Sequence, residues 1–139
     1  MSNNTEDIFV EDVKLIAKEL EEYYDQLEDK TVLIAGGKGF LGTYFTNVLI
    51  EINEKLSKQM KIIVLDSLIT SKDKMDYKNK NIKFLEQDIS KSFVLENDVD
   101  FIIHAASIAS PPTYRKFPIK TVDVNYQGTK NLLELAKEK

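Results

Sequence analysis

The sequence contains no cysteine, no tryptophan and a single histidine, with three prolines and five glycines in 139 residues. Without cysteine there is no disulfide, no thiol nucleophile and no zinc site built on cysteine. One histidine, His104, also excludes a metal site made of several histidines. No apolar run approaches the ~20 residues that a membrane span needs, and the polar N-terminus lacks the pattern of a signal peptide. These absences predict a soluble cytoplasmic protein without a metal centre.

Length and charge restrict the function further. The length fits one domain, since domains commonly have ~100–150 residues, and it leaves no room for a second, substrate-binding domain. The 19 basic and 23 acidic side chains give a net charge of −4. This mildly acidic balance argues against nucleic acid as the main partner.

The N-terminal segment is amphipathic. From Phe9 its apolar residues are spaced by 4, 3, 4, 3 and 4 positions, which predicts a helix from about residue 8 to 27 after a frayed segment 1–6. The stripe consists of Phe9, Val13, Ile16, Leu20, Tyr23 and Leu27. It either packs on the domain that follows or pairs with a partner helix, because the same spacing suits a coiled coil. The sequence divides near Asp29 into this helix, residues 1–29, and a domain, residues 30–139.

The rest of the chain alternates between strands and helices. Four β-favouring runs occupy residues 30–35, 61–66, 81–86 and 100–106, helices are predicted for residues 40 to about 56 and 121–137, and loops for 71–81 and 107–118. Such alternation implies parallel strands joined by right-handed crossovers. We therefore expect an α/β fold of the Rossmann type, with strand order 3-2-1-4, helices on both faces and the fourth strand at an open edge.

A glycine-rich turn joins the first strand to the helix after it. The segment 31–42, TVLIAGGKGFLG, fits G-x-G-x-x-G from Gly37 and G-x-x-G-x-x-G from Gly36. Glycines let the backbone turn tightly and let a diphosphate approach the free N–H groups at the helix start. The plain alternative is a tight strand-to-helix connection that binds nothing.

An acidic residue ends the second strand. Asp66 lies 24 residues after Gly42, where a carboxylate can accept both hydroxyls of an adenosine ribose and would repel a 2′-phosphate. This favours NAD over NADP, although Lys38 in the glycine loop can either neutralise a 2′-phosphate or lie beside the diphosphate. The alternative is a helix cap or loop residue.

Five blocks together carry a family resemblance over residues 30–137. They are residues 35–42 (AGGKGFLG), 64–66 (VLD), 88–89 (DI), 104–107 (HAAS) and 123–136 (DVNYQGTKNLLELA). The chain resembles the extended short-chain dehydrogenase/reductases, the NAD-dependent epimerase/dehydratases of nucleotide sugars. Segments 107–114 and 118–121 look most like UDP-glucuronate decarboxylases, and 4,6-dehydratase-like enzymes of surface-polysaccharide pathways are similar.

The resemblance implies residue roles, a nucleotide-sugar substrate and a homodimer. Gly36, Gly39 and Gly42 would cradle the diphosphate near the amides of Phe40 and Leu41, Asp66 would hold the ribose, Asp88 and Ile89 would meet the adenine, and Ala105, Ala106 and Ser107 would line the path to the nicotinamide. Asn125 would stabilise the helix behind the active site, and His104 would be structural.

The family's catalytic Tyr-x-x-x-Lys pair is not expected in this chain. Tyr126 and Lys130 have the right spacing but lie one strand-helix unit too early, so no catalytic residue is assigned. The predicted fourth strand, residues 100–106, is an apolar run of the kind that is buried on both faces, and leaving such a strand unpaired at a free edge of the sheet is unfavourable. We therefore expect the NAD-binding N-terminal part of a longer enzyme that transiently oxidises a sugar hydroxyl, unable to catalyse alone. The alternatives are a stand-alone NAD-binding, sensing or interaction module and a remnant that binds nothing.

Overall fold

The structure, a computed structural model, describes residues 3–70 and 79–138. The strands are β1 (Thr31–Ala35), β2 (Lys61–Asp66), β3 (Ile82–Glu86) and β4 (Phe101–His104). The helices are α1 (Asn3–Glu19), α2 (Tyr24–Leu27), α3 (Phe40–Asn53), α4 (Pro111–Lys116), α5 (Pro118–Asp123) and α6 (Thr129–Glu138). A 3₁₀ turn covers Glu21–Tyr23, and a π-helical turn, Val124–Gly128, joins α5 to α6. Within this described part of the chain, no helix is long and apolar enough to cross a membrane.

The four strands form one parallel sheet in the order β3-β2-β1-β4. This confirms the predicted Rossmann-type sheet and its order. Strand β1 is central, and Ile34 pairs with Val64 on one side and Ile103 on the other. All five residues of β1 are buried, which explains why its sequence is a continuous apolar run rather than an alternating one.

Helices cover both faces of the sheet, as predicted. One core joins α1 and α3 to side chains such as Val32 and Ile34 of β1. The opposite core joins the π-helical turn and α6 to Leu33 and Ala35. The connection from β3 to β4, residues 87–100, contains no helix and covers the sheet with Ile89 and Leu95 instead.

The N-terminal helix packs on α3, but its predicted stripe and limits need correction. Residues 3–6 are helical rather than frayed, and α1 ends at Glu19 instead of continuing to residue 27. After Val13, Ala17 is buried and Tyr24 is partly buried, whereas Ile16 and Tyr23 are 40% and 45% exposed. Small Ala17 sits fully buried in the core shared with α3, and Leu20 and Leu27 of the predicted stripe pack partly buried against the same core, before and after the 3₁₀ turn. The division into residues 1–29 and 30–139 stays a prediction.

The remaining boundaries differ for local reasons. Helix α3 ends at Asn53 rather than near residue 56, and β1, β3 and β4 are shorter than predicted by one to three residues. The predicted loop 107–118 contains α4, and the final helix begins at Pro118 instead of Thr121. Proline suits the first helical turn, where its missing N–H has no intrahelical partner to lose, so these prolines start helices rather than break them. Of the predicted loop 71–81, residues 71–78 lie outside the described part.

Candidate functional site

A cleft opens where the parallel strands end. It lies at the carboxyl edge of the sheet, on the side to which the loops after β1, β2, β3 and β4 all emerge. The lining residues are Gly36, Gly39, Leu65, Asp66, Ser67, Ile69, Thr70, Gln87, Asp88, Ile89, Ala105, Ala106, Ser107, Ile108 and Val124. The chain crosses from β1 toward β2 on one side and returns to β4 on the other, and ligands of open α/β sheets bind at such switch points.

Eight of the eleven predicted site residues line this cleft. They are Gly36, Gly39, Asp66, Asp88, Ile89, Ala105, Ala106 and Ser107. The other three, Phe40, Leu41 and Gly42, belong to the first turn of α3 and do not line it. Gly42 is buried beneath the loop, and the Phe40 and Leu41 side chains are 79% and 58% exposed, so only their backbone groups remain candidates for binding.

The glycine loop is packed tightly against the strands around it. Gly36 has a φ of +79°, and an added Cβ would lie 2.5 Å from the backbone of Ala106. A Cβ on Gly42 would overlap the carbonyl oxygen of Gly36, and one on Gly37 would overlap the side chain of Val64. At Gly39 an added Cβ would meet only the Gly36 oxygen, at 3.3 Å. Of the two registers, the one from Gly36 therefore has its first two glycines in the cleft, while Gly37 contacts β2.

Asp66 ties the glycine loop to the end of β2. One carboxylate oxygen accepts a hydrogen bond from the Lys38 backbone N–H at 2.9 Å, and the other accepts one from the Leu68 N–H at 2.9 Å. The second bond holds Leu68 at a φ of +55°, a conformation that side chains rarely adopt. Each carboxylate oxygen can still accept a further hydrogen bond, so the half-buried Asp66 can also bind hydroxyl donors in the cleft.

The residues after β3 are held in a fixed arrangement. The Asp88 carboxylate accepts hydrogen bonds from the Ser90 N–H at 3.0 Å and from its hydroxyl at 2.6 Å, and the Lys120 ammonium lies 3.8 Å away. The Ile89 carbonyl accepts a 2.7 Å hydrogen bond from the amide of Asn131 in α6. An added Cβ on Gly128 would lie 2.7 Å from the Ile89 side chain, so the helix approaches this segment closely.

Comparison with known proteins places this geometry in a family. Residues 32–139 match the model of the NAD dependent epimerase/dehydratase family. The chain belongs to that family. It is 33% identical over 118 residues to UDP-glucuronic acid decarboxylase 1 of Danio rerio and 38% identical over 109 residues to UDP-glucuronic acid decarboxylase 5 of Arabidopsis thaliana. These alignments cover 83% and 76% of this chain but only 26% and 30% of those relatives.

Solved structures give the same result for the fold. Epimerase Mth375 of Methanothermobacter thermautotrophicus superposes with a TM-score of 0.68 at 26% identity, over 84% of this chain and 34% of that one. The Bordetella bronchiseptica enzyme WbmF, solved in complex with NAD+, superposes with a TM-score of 0.65 at 22% identity over 81% and 33% of the two chains. The family match over residues 32–139 confirms the resemblance deduced from the five sequence blocks.

His104, at the end of β4, bonds to the final helix of this epimerase/dehydratase-type domain rather than lining the cleft. Its Nε2 lies 3.0 Å from the Thr129 hydroxyl, which donates to the Asn125 carbonyl at 2.5 Å. Because that hydroxyl has only one proton, His104 Nε2 must be the donor toward Thr129. Burial lowers the pKa of His104. This arrangement ties β4 to the π-helical turn that contains Asn125.

Several cleft residues were missed by the sequence analysis. Ser67 and Thr70 follow β2, Gln87 follows β3 and Ile108 follows β4. Their position just after parallel strands was an available signal, because those ends meet at one edge. Among residues 3–70 and 79–138, no group of three or more histidine, aspartate or glutamate side chains is placed to hold a metal ion.

Proposed function

We propose that this chain binds NAD in the cleft and forms the cofactor-binding part of an enzyme that acts on a nucleotide sugar. The observation that carries the proposal is the meeting of the glycine loop and Asp66 in one cleft at the carboxyl edge of the sheet. Family membership supports it, and so does WbmF, a protein of the same fold whose structure was solved with NAD+ and UDP. The roles of individual residues are part of the same proposal.

The diphosphate would bind at the start of α3. Gly39 is the N-cap residue and brings no capping side chain, and the first turn contains no acidic residue. The N–H groups of Phe40 and Leu41 therefore stay available for an anion, and the helix dipole adds to the attraction. Gly36 and Gly39 leave room beside them, and Gly42 lets the helix lie against the loop.

Asp66 would accept the adenosine ribose hydroxyls and set the preference for NAD. A 2′-phosphate would stand close to this carboxylate, and two like charges about 4 Å apart repel each other by roughly 1–4 kcal/mol near a protein surface. Lys38 reduces this repulsion only where its side chain reaches the phosphate. We expect NAD to bind at least about tenfold more tightly than NADP.

The rest of the cleft would receive the two ends of the cofactor. Asp88, which accepts a hydrogen bond from Ser90, and the Ile89 backbone, which accepts one from Asn131, would face the adenine. Ala105, Ala106 and Ser107 would line the path toward the nicotinamide, and the small alanines leave space for it. Bound NAD supplies a hydride acceptor for oxidation of a sugar hydroxyl.

The catalytic base would come from residues outside this chain. Tyr126 is 72% exposed and does not line the cleft, and Lys130 lies 3.8 Å from Glu134 on the same helix. These positions support the view that this Tyr-x-x-x-Lys string is not the catalytic pair. The chain spans about a quarter to a third of the length of the relatives it matches. We propose that it binds the cofactor without catalysing, within a longer cytoplasmic enzyme of polysaccharide biosynthesis.

A homodimer is part of the same proposal. The helical segment from α5 through α6, residues 118–138, exposes a row of apolar side chains: Ile119, Val122, Tyr126 and Leu133. Exposed apolar rows of this kind mark protein contacts. Light scattering should show a dimer, and replacing Tyr126 by glutamate should give a monomer. A monomeric parent chain would argue against this part.

Calorimetric titration with NAD and NADP tests the cofactor assignment. Asp66→Ala should weaken NAD binding by at least about tenfold through the loss of charge-assisted hydrogen bonds. Asp100→Ala is the matched control, since Asp100 also accepts a backbone N–H, from Thr31 at 2.8 Å, but at the other end of the sheet. Equal affinity for NAD and NADP, or equal losses in both variants, would contradict the role of Asp66.

A further inference from the structure

Helix α1 lies outside the family match, which begins at Val32, yet it packs beside the glycine loop. We propose that α1 is a brace for this loop: through Phe9 and Asp12 it holds Tyr44, and thereby the first turn of α3, in the position that binds a diphosphate. The proposal rests on the proposed NAD site. It makes Tyr44 and Asp12 positioning residues that touch no cofactor.

Tyr44 is the centre of the contacts between the two helices. Its ring meets the Phe9 ring edge to face at a centroid distance of 4.8 Å, and its hydroxyl donates to the Asp12 carboxylate at 3.1 Å. Burial and then the hydrogen bond to Asp12 raise the pKa of Tyr44, which keeps the hydroxyl protonated as a donor over a wider pH range. Edge-to-face pairs and charge-assisted hydrogen bonds both depend on direction, so together they restrict the orientation of Tyr44.

The same residue contacts the beginning of α3. The Tyr44 ring lies 5.5 Å from the ring of Phe40, the first residue of that helix, again edge to face. Thr43 donates both its N–H, at 2.9 Å, and its hydroxyl, at 2.8 Å, to the Gly39 carbonyl. A groove shared by α1 and the loop is lined by Phe9 of α1, by Lys38 and Gly39 of the loop and by Phe40 and Tyr44 of α3. A continuous set of contacts thus runs from α1 to Gly39.

The first turn of α3 needs such support. Gly39 has no side chain that could cap the helix, so the position of the turn depends on the loop and on tertiary packing. Phe40 is 79% exposed, and its edge-to-face contact with Tyr44 connects the turn whose N–H groups are to bind the diphosphate to the residue that α1 holds. Val13 and Ala17, further along α1, are buried in the same core as Ile52 of α3, and this packing fixes the position of α1 on α3.

The test compares Tyr44→Phe with Tyr24→Phe in the full chain. Tyr24 is the matched control because its hydroxyl also donates to α1, to the Ala17 carbonyl at 2.8 Å, but does so outside the groove beside the glycine loop. Binding of ADP-ribose and of adenosine is measured by NMR titration, and stability by urea unfolding. Tyr44→Phe should weaken ADP-ribose binding by about three- to tenfold and leave adenosine binding unchanged, because adenosine lacks the diphosphate. Tyr24→Phe should change neither affinity.

Asp12→Ala should weaken ADP-ribose binding to the same extent as Tyr44→Phe. The double variant should bind ADP-ribose no more weakly than either single variant, since both substitutions remove the same hydrogen bond. The brace is refuted when Tyr44→Phe binds ADP-ribose as the parent chain does, or when it weakens ADP-ribose and adenosine equally. A parent chain that binds no ADP-ribose overturns the proposed function as well, which separates the two failures.

Discussion

The glycine loop allows a direct separation of folding from cofactor binding. Gly42→Ala and Gly39→Ala each add one methyl group to the same motif, three residues apart. The structure predicts opposite results. The first should damage the fold, and the second should damage only the binding of NAD.

The magnitudes follow from the surroundings of each glycine. A Cβ on Gly42 would overlap the Gly36 carbonyl oxygen and lie 2.7 Å from the Gly37 Cα, against 3.4 Å or more for an ordinary contact. Backbone atoms must therefore move by roughly an ångström, which costs about 3 kcal/mol. Alanine's helix propensity returns about 1 kcal/mol, leaving a net loss of about 2 kcal/mol.

Gly39 lacks this obstacle. Its φ of −71° and ψ of 171° suit alanine, and the one close atom would be the Gly36 oxygen at 3.3 Å. The gain from a less flexible unfolded chain, about 0.4–1 kcal/mol, offsets a small adjustment. Stability should therefore stay within about 1 kcal/mol of the parent, while NAD affinity should fall because the methyl group enters the proposed diphosphate site.

Urea unfolding followed by circular dichroism measures both variants. A loss of 2 kcal/mol lowers the urea midpoint by about 1 M at a slope of about 2 kcal/mol per M. Titration with NAD on the folded variants supplies the second readout. The reasoning is refuted if Gly42→Ala is as stable as the parent chain, or if Gly39→Ala is the less stable of the two.

Three other outcomes are expected. Asn53→Ala removes two hydrogen bonds between a buried amide and the Met60 backbone, at 2.8 and 3.0 Å, and urea unfolding should show a loss of about 2–4 kcal/mol. Hydrogen bonds from the Thr31 N–H and then from the Lys30 side chain lower the pKa of Asp100. The stability that the Asp100 carboxylate contributes is therefore lost as the pH falls through its folded-state pKa. The difference in unfolding free energy between the parent chain and Asp100→Asn should narrow below about pH 4. Burial lowers the pKa of His104, so stability declines as the pH falls from about 6.5 through the folded-state pKa, and His104→Asn should remove that slope.

The parts of the fold predicted well are those with a simple residue pattern. Strand β2 begins at Lys61 and ends at Asp66, as its apolar run predicts, because a strand buried on both faces has to be apolar throughout. The N-terminal helix was predicted less well. A spacing of 4 and 3 cannot reveal that Ala17, rather than Ile16, meets α3, since that choice depends on how closely two helices approach.

The cleft likewise has features that a local residue pattern predicts and features that depend on tertiary contacts. The glycines and Asp66 were predictable, because a turn with a φ of +79° and a carboxylate at a strand end each need a particular residue type. The hydrogen bond from Lys38 to Asp66 was not predictable, since it joins two backbone segments that only the sheet brings together. The contact of Phe9 with Tyr44 is likewise long-range, and no local pattern encodes it.

The difference between these two groups of contacts explains how the site is built. The N–H groups of Gly36 and Gly37 both bond to the Leu65 carbonyl, at 2.8 and 3.2 Å, and Gly36 packs against the Ala106 backbone. The inner side of the loop is thus fixed by backbone atoms of β2 and of the segment after β4, which both lie within the residues that match the family model. Its outer side, at the first turn of α3, is fixed by side chains of α1, which lies outside the motif. Changes in the N-terminal helix can therefore alter cofactor affinity while every motif residue stays the same.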